Sequence, residues 1–253
     1  MHFKKLKQAI DTYRYDGSFH VEQARRGGAN AVDFTLRISA PPPIDEWSLI
    51  VGDCVHNMRA ALDQLAWQLD SAPTTGPGGT AFPIYTKKPK SWPTPTVARM
   101  LAAALPIIEG LQPYNEPTPD RIERHPLATL HALDISDKHH ALIAAVGKVA
   151  GDSIAGLPFG SSMESYVFPP FADGAKVATV TYAAGEPTPT LHCNVAFDVV
   201  LVDPPWVNAN ILWVLEELLL GWITRFVADP LIALIPQLAD DCRSGTSTSS
   251  PRY

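Results

Sequence analysis

The chain has 253 residues, 46% of them hydrophobic and 18% charged, with a formal net charge of −6 at pH 7. A chain of this length buries about three quarters of its unfolded surface, so one core can organise it without a disulfide or metal staple. The acidic balance gives no general attraction to phosphates and Lys/Arg runs are short, so nucleic acid is left open as a partner but is not favoured.

The three cysteines, Cys54, Cys193 and Cys242, are odd in number and far apart. That pattern points to reduced thiols in a soluble, cytoplasmic protein rather than to a disulfide framework. Residues 1–7 are basic, but Ile10-Asp11-Thr12-Tyr13 follows where a signal peptide would carry an apolar run.

Phe3, Leu6, Ile10 and Tyr13 recur at helical spacing, which predicts a first helix over 3–25, stopped by Gly27-Gly28. Residues 32–38 alternate apolar and polar as a half-buried strand does, and the triple proline at 41–43 ends it. Asp45 is placed to cap a long helix over 45–70, with Trp47, Ile50, Val51, Val55, Met58, Leu62, Leu65, Ala66 and Leu69 in one apolar stripe. Glycine- and proline-rich loops follow at 73–79 and 87–95. A shorter helical stretch covers 97–105, and Pro126 suits the first turn of a helix carrying Leu127, Leu130 and Leu133. Residues 141–149 read as a strand, and 177–182 and 191–202 as an antiparallel pair joined near Gly185-Glu186-Pro187. In the second of these, Val195, Phe197, Val199 and Leu201 share one face.

A helical region over 208–238, broken at Asp229-Pro230, closes the fold. Its most apolar part, 211–228, carries Glu216, Glu217 and Arg225, each costly at a bilayer centre, so it reads as a buried helix and no membrane is expected as a partner. Trp213, Leu215, Leu218, Leu219, Trp222, Ile223 and Phe226 exceed the stripe that one helix needs. That excess predicts a homo-oligomer, a dimer, through 208–228; the alternative is a central helix buried all round within one subunit. The expected architecture is a single α+β domain over 1–243, a mainly helical layer packed on a small antiparallel sheet, with a flexible Ser/Thr-rich tail over 244–253.

Two polar clusters carry the chemistry. Beside the stripe of the long helix stand Asp53, His56, Asn57, Arg59 and Asp63, of which His56, Arg59 and Asp63 fall within roughly 60° of helix surface. They form either an i,i+4 ion pair with His56 satisfied nearby, or one wall of a polar cleft. Asp137-Lys138-His139-His140, in a turn after Asp134 and Ser136, holds parts for acid–base work or anion binding, and equally makes a solvated turn. The candidate catalytic residues are therefore His56, Arg59, Asp63, Asp137, Lys138 and His139, facing one another across a shared cleft. No C-x-x-C, H-E-x-x-H, P-loop, G-x-S-x-G or dinucleotide motif is present, so no metal and no cofactor is expected.

The run Gly52-Asp53-Cys54-Val55-His56-Asn57-Met58-Arg59-Ala60-Ala61-Leu62-Asp63-Gln64-Leu65, then Ala81-Phe82-Pro83-Ile84, Leu111-Gln112-Pro113-Tyr114 and Asp137-Lys138-His139, resembles an uncharacterised family of bacterial and phage proteins. That family is built on G-D-x-x-H-N-x-R-S-A-L-D-H-L, F-P-I and a later D-K-H-R. The resemblance spans 45–145 of this chain and implies that the two polar clusters belong together, without carrying an activity. The chain departs from the pattern at Gln64 and His140, where the family has histidine and arginine. The family's R-S-A-L-D-H in turn resembles the spaced arginine and histidine of HEPN-type ribonucleases, which cut RNA without metal. No histidine lies at that spacing from Arg59; Arg124 with His131 fits it, although eight histidines make a chance match expected and Pro126 argues against one continuous helix. Two functions follow. One is a non-catalytic binding or assembly protein whose polar clusters fix helix and turn geometry; the other is a metal-free enzyme or RNA- or nucleotide-directed factor, HEPN-like in its chemistry. The acidic balance and Gln64 favour the first, and the concentration of polar residues against an apolar stripe favours the second.

Overall fold

A computed structural model of the chain describes residues 2–27, 30–70, 80–136, 143–148, 154–155, 159–165, 171–184, 192–193, 196–202 and 209–235. The chain divides into two compact units, one of 1–51, 143–202 and 208–212, the other of 52–142, 203–207 and 213–253. Helices and antiparallel strands are segregated along the sequence rather than alternating, which makes the protein α+β, as its element pattern predicts.

In the first unit, helix α1 (His2–Tyr15) buries Leu6, Ile10 and Tyr13, one apolar row at helical spacing. It is shorter than that spacing predicts. Gly17 takes the left-handed conformation, φ 81°, which a side chain disfavours, and the Asp16 carboxylate accepts the Ser18 N–H at 2.8 Å. This turn reverses the chain, so 19–25, expected to continue the helix, forms strand β1 (Phe19–Arg25) instead. β1 runs antiparallel to β2 (Ala31–Ile38), with Phe19 opposite Ile38 and Arg25 opposite Val32.

β2 behaves as its alternation predicts, burying Val32, Phe34 and Leu36. It is central in a sheet of order β1-β2-β6-β5, where β5 is Ser162–Ser165 and β6 is Lys176–Thr181. Two short pairs complete the strands: β3 (Ile143–Lys148) with β8 (Ala196–Leu201), and β4 (Ile154–Ala155) with β7 (His192–Cys193). Strands therefore occur where 141–149, 177–182 and 191–202 predict them, but the expected pair is not formed. β6 lies between β2 and β5, and β8 takes β3 as its partner. Alternation tells which residues face a core, as Phe197, Val199 and Leu201 do, and is silent on which strand lies alongside.

An aromatic cluster joins α1 to these strands. Tyr13, Phe19, Trp47, Phe171 and Phe197 pack with ring centroids as close as 4.8 Å, for Phe171 and Phe197. The Tyr13 hydroxyl donates to Ala40 O at 2.8 Å, and Arg14 donates to Phe197 O at 3.2 Å, so the polar ends of the cluster are paired.

The boundary between the units falls after Val51, inside the long helix α2 (Ile44–Leu69). Asp45 lies in the first turn of α2 with Glu46, where both complement the helix dipole, rather than before it as a cap. Most of the stripe is buried as expected, in Trp47, Val51, Val55, Leu62, Leu65, Ala66 and Leu69, while Ile50 and Met58 are half-buried. In the second unit the stretch over 97–105 is two 3-10 turns, Val97–Arg99 and Ala102–Ala104, leading into α3 (Leu105–Gly110) with Pro106 in its first turn. α4 (Pro119–Arg124) ends at His125, whose ψ of 136° is extended, and α5 (Pro126–Ser136) then buries Leu127, Leu130 and Leu133.

The last helix, α6, covers 211–232. Its ends, Ile211–Trp213 and Asp229–Ile232, are α-helical, and its middle, Val214–Gly221 and Ile223–Ala228, is wound in wider π turns. The expected break at Asp229-Pro230 is absent. Pro230 sits in the first turn of the α-helical end, directly after π turns, where its missing N–H interrupts no regular ladder. Among the described residues no helix is long and apolar enough to cross a membrane.

Candidate functional site

The polar residues of α2 lie in the second unit, and the most tightly bound are Arg59 and Asp63, one turn apart. Arg59 Nη2 lies 3.0 Å from Asp63 Oδ1, and the Arg59 side chain is only 15% exposed. The same Nη2 donates to the Phe82 carbonyl at 3.0 Å, while the Phe82 N–H donates to Asp63 Oδ1 at 2.9 Å. The ion pair thus serves both backbone groups of one residue, as a neighbouring strand would.

Gln112, 1% exposed, continues this arrangement along the chain. Its Nε2 donates to Pro83 O at 3.1 Å and to Ile108 O at 2.9 Å, and its Oε1 accepts the Tyr85 N–H at 2.9 Å. The Tyr114 N–H adds a bond to Tyr85 O at 3.2 Å. Residues 82–85 belong to no helix or strand, and Pro83 has no N–H to give a ladder, so side chains from α2 and from Gln112 satisfy the backbone there instead. Arg59 and Asp63, Phe82-Pro83 and Gln112 come from three separate stretches of the sequence. In this chain a main-chain clamp brings them together.

His56 stands apart from the clamp. Its side chain is 73% exposed, and Nδ1 lies 3.7 Å from Asp134 Oδ1 on α5, an ion pair only when the imidazole is protonated. One turn before Asp134, burial lowers the pKa of His131, the charge of Arg59 lowers it further and Asp134 opposes both. The α2 cluster therefore meets His131 and Asp134 of α5. Asp137, Lys138 and His139 lie outside the described residues. Arg59 Nη1 is buried and has no hydrogen-bond partner among the described residues.

Arg124 and His131 do not form a pair on one helix. Arg124 is bonded to Asp120 at 2.8 Å on α4, and the backbone turns at His125 before α5 begins. His125 itself caps α5: its Nδ1 accepts the Leu127 N–H at 3.2 Å, and its ring packs edge-on against Trp222 at 5.0 Å. Burial lowers its pKa, so the neutral imidazole that this bond needs is the favoured form.

A second polar knot has no counterpart in the sequence reading. The Asp70 side chain is 0% exposed and lies 2.9 Å from Arg99 Nη2. Thr80 Oγ1 donates to Asp70 at 2.5 Å and accepts from Arg99 at 3.1 Å. Leu101 N–H bonds Leu69 O at 2.8 Å beside it, so the knot fixes the end of α2 against the chain near 100. Asp70 and Arg99 are too far apart in sequence for any spacing rule to link them, and a buried carboxylate was signalled only by its place next to the apolar Leu69.

Other groups offer little chemistry. Burial pushes the Cys54 thiol up to about 11, so it is not a nucleophile at neutral pH. A groove of 410 Å³ in the first unit is lined by Lys5, Gln8, Thr12, Asp16 and Glu46 over Trp47, and contains none of the predicted site residues. Among the described residues no three His, Cys, Asp or Glu side chains gather as metal ligands would. Comparison of the chain with protein-family models, with curated proteins and with solved structures gives no match.

Proposed function

We propose that this is a non-catalytic binding or assembly protein of the cytoplasm, in which the polar residues of α2 serve the fold. The observation that carries this reading is the pairing of Arg59 and Asp63 with the N–H and C=O of Phe82. A catalytic acid or base must reach a reacting atom. Asp63 Oδ1 already holds a main-chain N–H and a guanidinium. The resemblance to the bacterial and phage family fits the same reading, because the blocks it shares with this chain include the clamp residues.

The second reading, a metal-free enzyme or RNA- or nucleotide-directed factor using His56, Arg59 and Asp63 with Asp137, Lys138 and His139, draws on one observation. Arg59 Nη1 is buried with no hydrogen-bond partner among the described residues, and the charge of Arg59 helps favour the neutral form of His131. A neutral imidazole beside a fixed cation suits proton abstraction near a phosphate. Incubation of the purified protein with single-stranded RNA and with nucleoside triphosphates, in the presence of a chelator, separates the two. The non-catalytic reading expects no turnover above buffer. Metal-independent turnover that disappears in His131→Ala, with melting unchanged, overturns it.

A further inference from the structure

The outer face of α6 is built to pair with itself. The inner face buries Val214, Leu215, Leu219, Ile223, Val227 and Leu231. The outer face exposes Trp213, Leu220, Phe226 and Ile232, each between 46% and 53% exposed. Among these stand the exposed Glu216, Glu217 and Arg225, which form no ion pair among the described residues. Gly221 is exposed near the middle of the face, and a side chain added there would crowd only the carbonyl of Glu216 on the same helix.

Glu216 and Glu217 lie to one side of Leu220-Gly221 and Arg225 to the other, with the exposed Asp229 one turn beyond Arg225. Two copies laid antiparallel, with a two-fold axis at Leu220-Gly221, bring Glu216 and Glu217 of each level with Arg225 of the other. The same operation brings Trp213 near Phe226 and lets the backbones approach at Gly221. A parallel pairing would instead set the glutamates beside each other, which repels. We infer that this face of α6 is a homodimer interface, two-fold and antiparallel, with Arg225 bridging to Glu216 and Glu217 of a second copy. The inference rests on the assembly reading above and names its partner. One helix face buries less than the ~800 Å² per partner of a standard interface, so the dimer dissociates on dilution.

Sedimentation and light scattering of the full chain at high micromolar concentration test this. The expected mass is twice that of one chain. Arg225→Glu alone, and Glu216→Arg with Glu217→Arg, should each give monomers, because like charges then meet twice across the axis. Mixing the two variants should restore the dimer, and since all three positions are exposed, melting of each variant should match the wild type at dilutions where the dimer has dissociated. A monomeric wild type at high concentration, or a dimer indifferent to these charge reversals, overturns the inference. Neither result bears on the turnover assay, which alone decides whether the non-catalytic reading stands.

Discussion

Asp63 on α2 holds the backbone nitrogen of Phe82 at 2.9 Å, a bond that spans nineteen positions of sequence and ends a carboxylate on main chain rather than on another side chain. With Arg59 on the carbonyl of the same residue, α2 supplies the donor and acceptor that an adjacent strand would otherwise provide.

Arg59→Ala should destabilise the protein by about 2–3 kcal/mol, because it removes a charged hydrogen bond to Phe82 O and leaves Asp63 without its cation. Arg59→Lys should recover only part of this, since the shorter side chain must bring its one nitrogen to the place Nη2 holds beside both Phe82 O and Asp63 Oδ1. The urea midpoint should fall with the m-value unchanged. A midpoint that does not move for Arg59→Ala contradicts the structural role.

Asp33, at the centre of the four-stranded sheet, should make stability fall in acid. Lys176 at 2.9 Å, then Thr179 at 2.8 Å and Arg26 at 2.8 Å, hold its pKa down to about 2 against the cost of partial desolvation. The unfolded carboxyl titrates near ~3.9, so this stabilisation is complete above that pH and is lost as pH falls from there through about 2. Thermal midpoints across this window should show a shallower slope in Asp33→Asn than in the wild type. Parallel slopes count against the cited contacts.

His125 works in the same sense, at higher pH. Its folded pKa lies below the ordinary value because of burial, so the unfolded chain takes up a proton first as pH falls. Stability is complete above about pH 6.5 and declines below it until the folded imidazole also protonates and releases the Leu127 N–H. His125→Asn keeps an acceptor at the cap and cannot titrate, so its decline should be smaller, with the contribution of His131 remaining. A calorimetric series over this range decides it.

What the sequence made legible, and what it did not, has a physical pattern. The stripe of α2 and the alternation of β2 could be read because burial falls on one face of each. β1 could not: only Phe19 and Val21 pack toward the core, and the strand depends on the turn at Gly17. The pairing of β8 with β3 rather than β6 joins residues about fifty positions apart, which periodicity does not address. The Arg59–Asp63 pair was visible from its i,i+4 spacing, but its target was not, because a backbone partner leaves no mark in residue type. The role of Gln112 was invisible for the same reason.

The most direct test of the clamp is amide hydrogen exchange at Phe82 and Tyr85 in the wild type, in Asp63→Ala and in Gln112→Ala. Both amides should be protected in the wild type although neither lies in a helix or strand. Phe82 should exchange about tenfold faster or more in Asp63→Ala, and Tyr85 likewise in Gln112→Ala, while the buried amides of α2 keep their protection. Rapid exchange of Phe82 in the wild type, or protection of Phe82 that survives Asp63→Ala, would contradict the account.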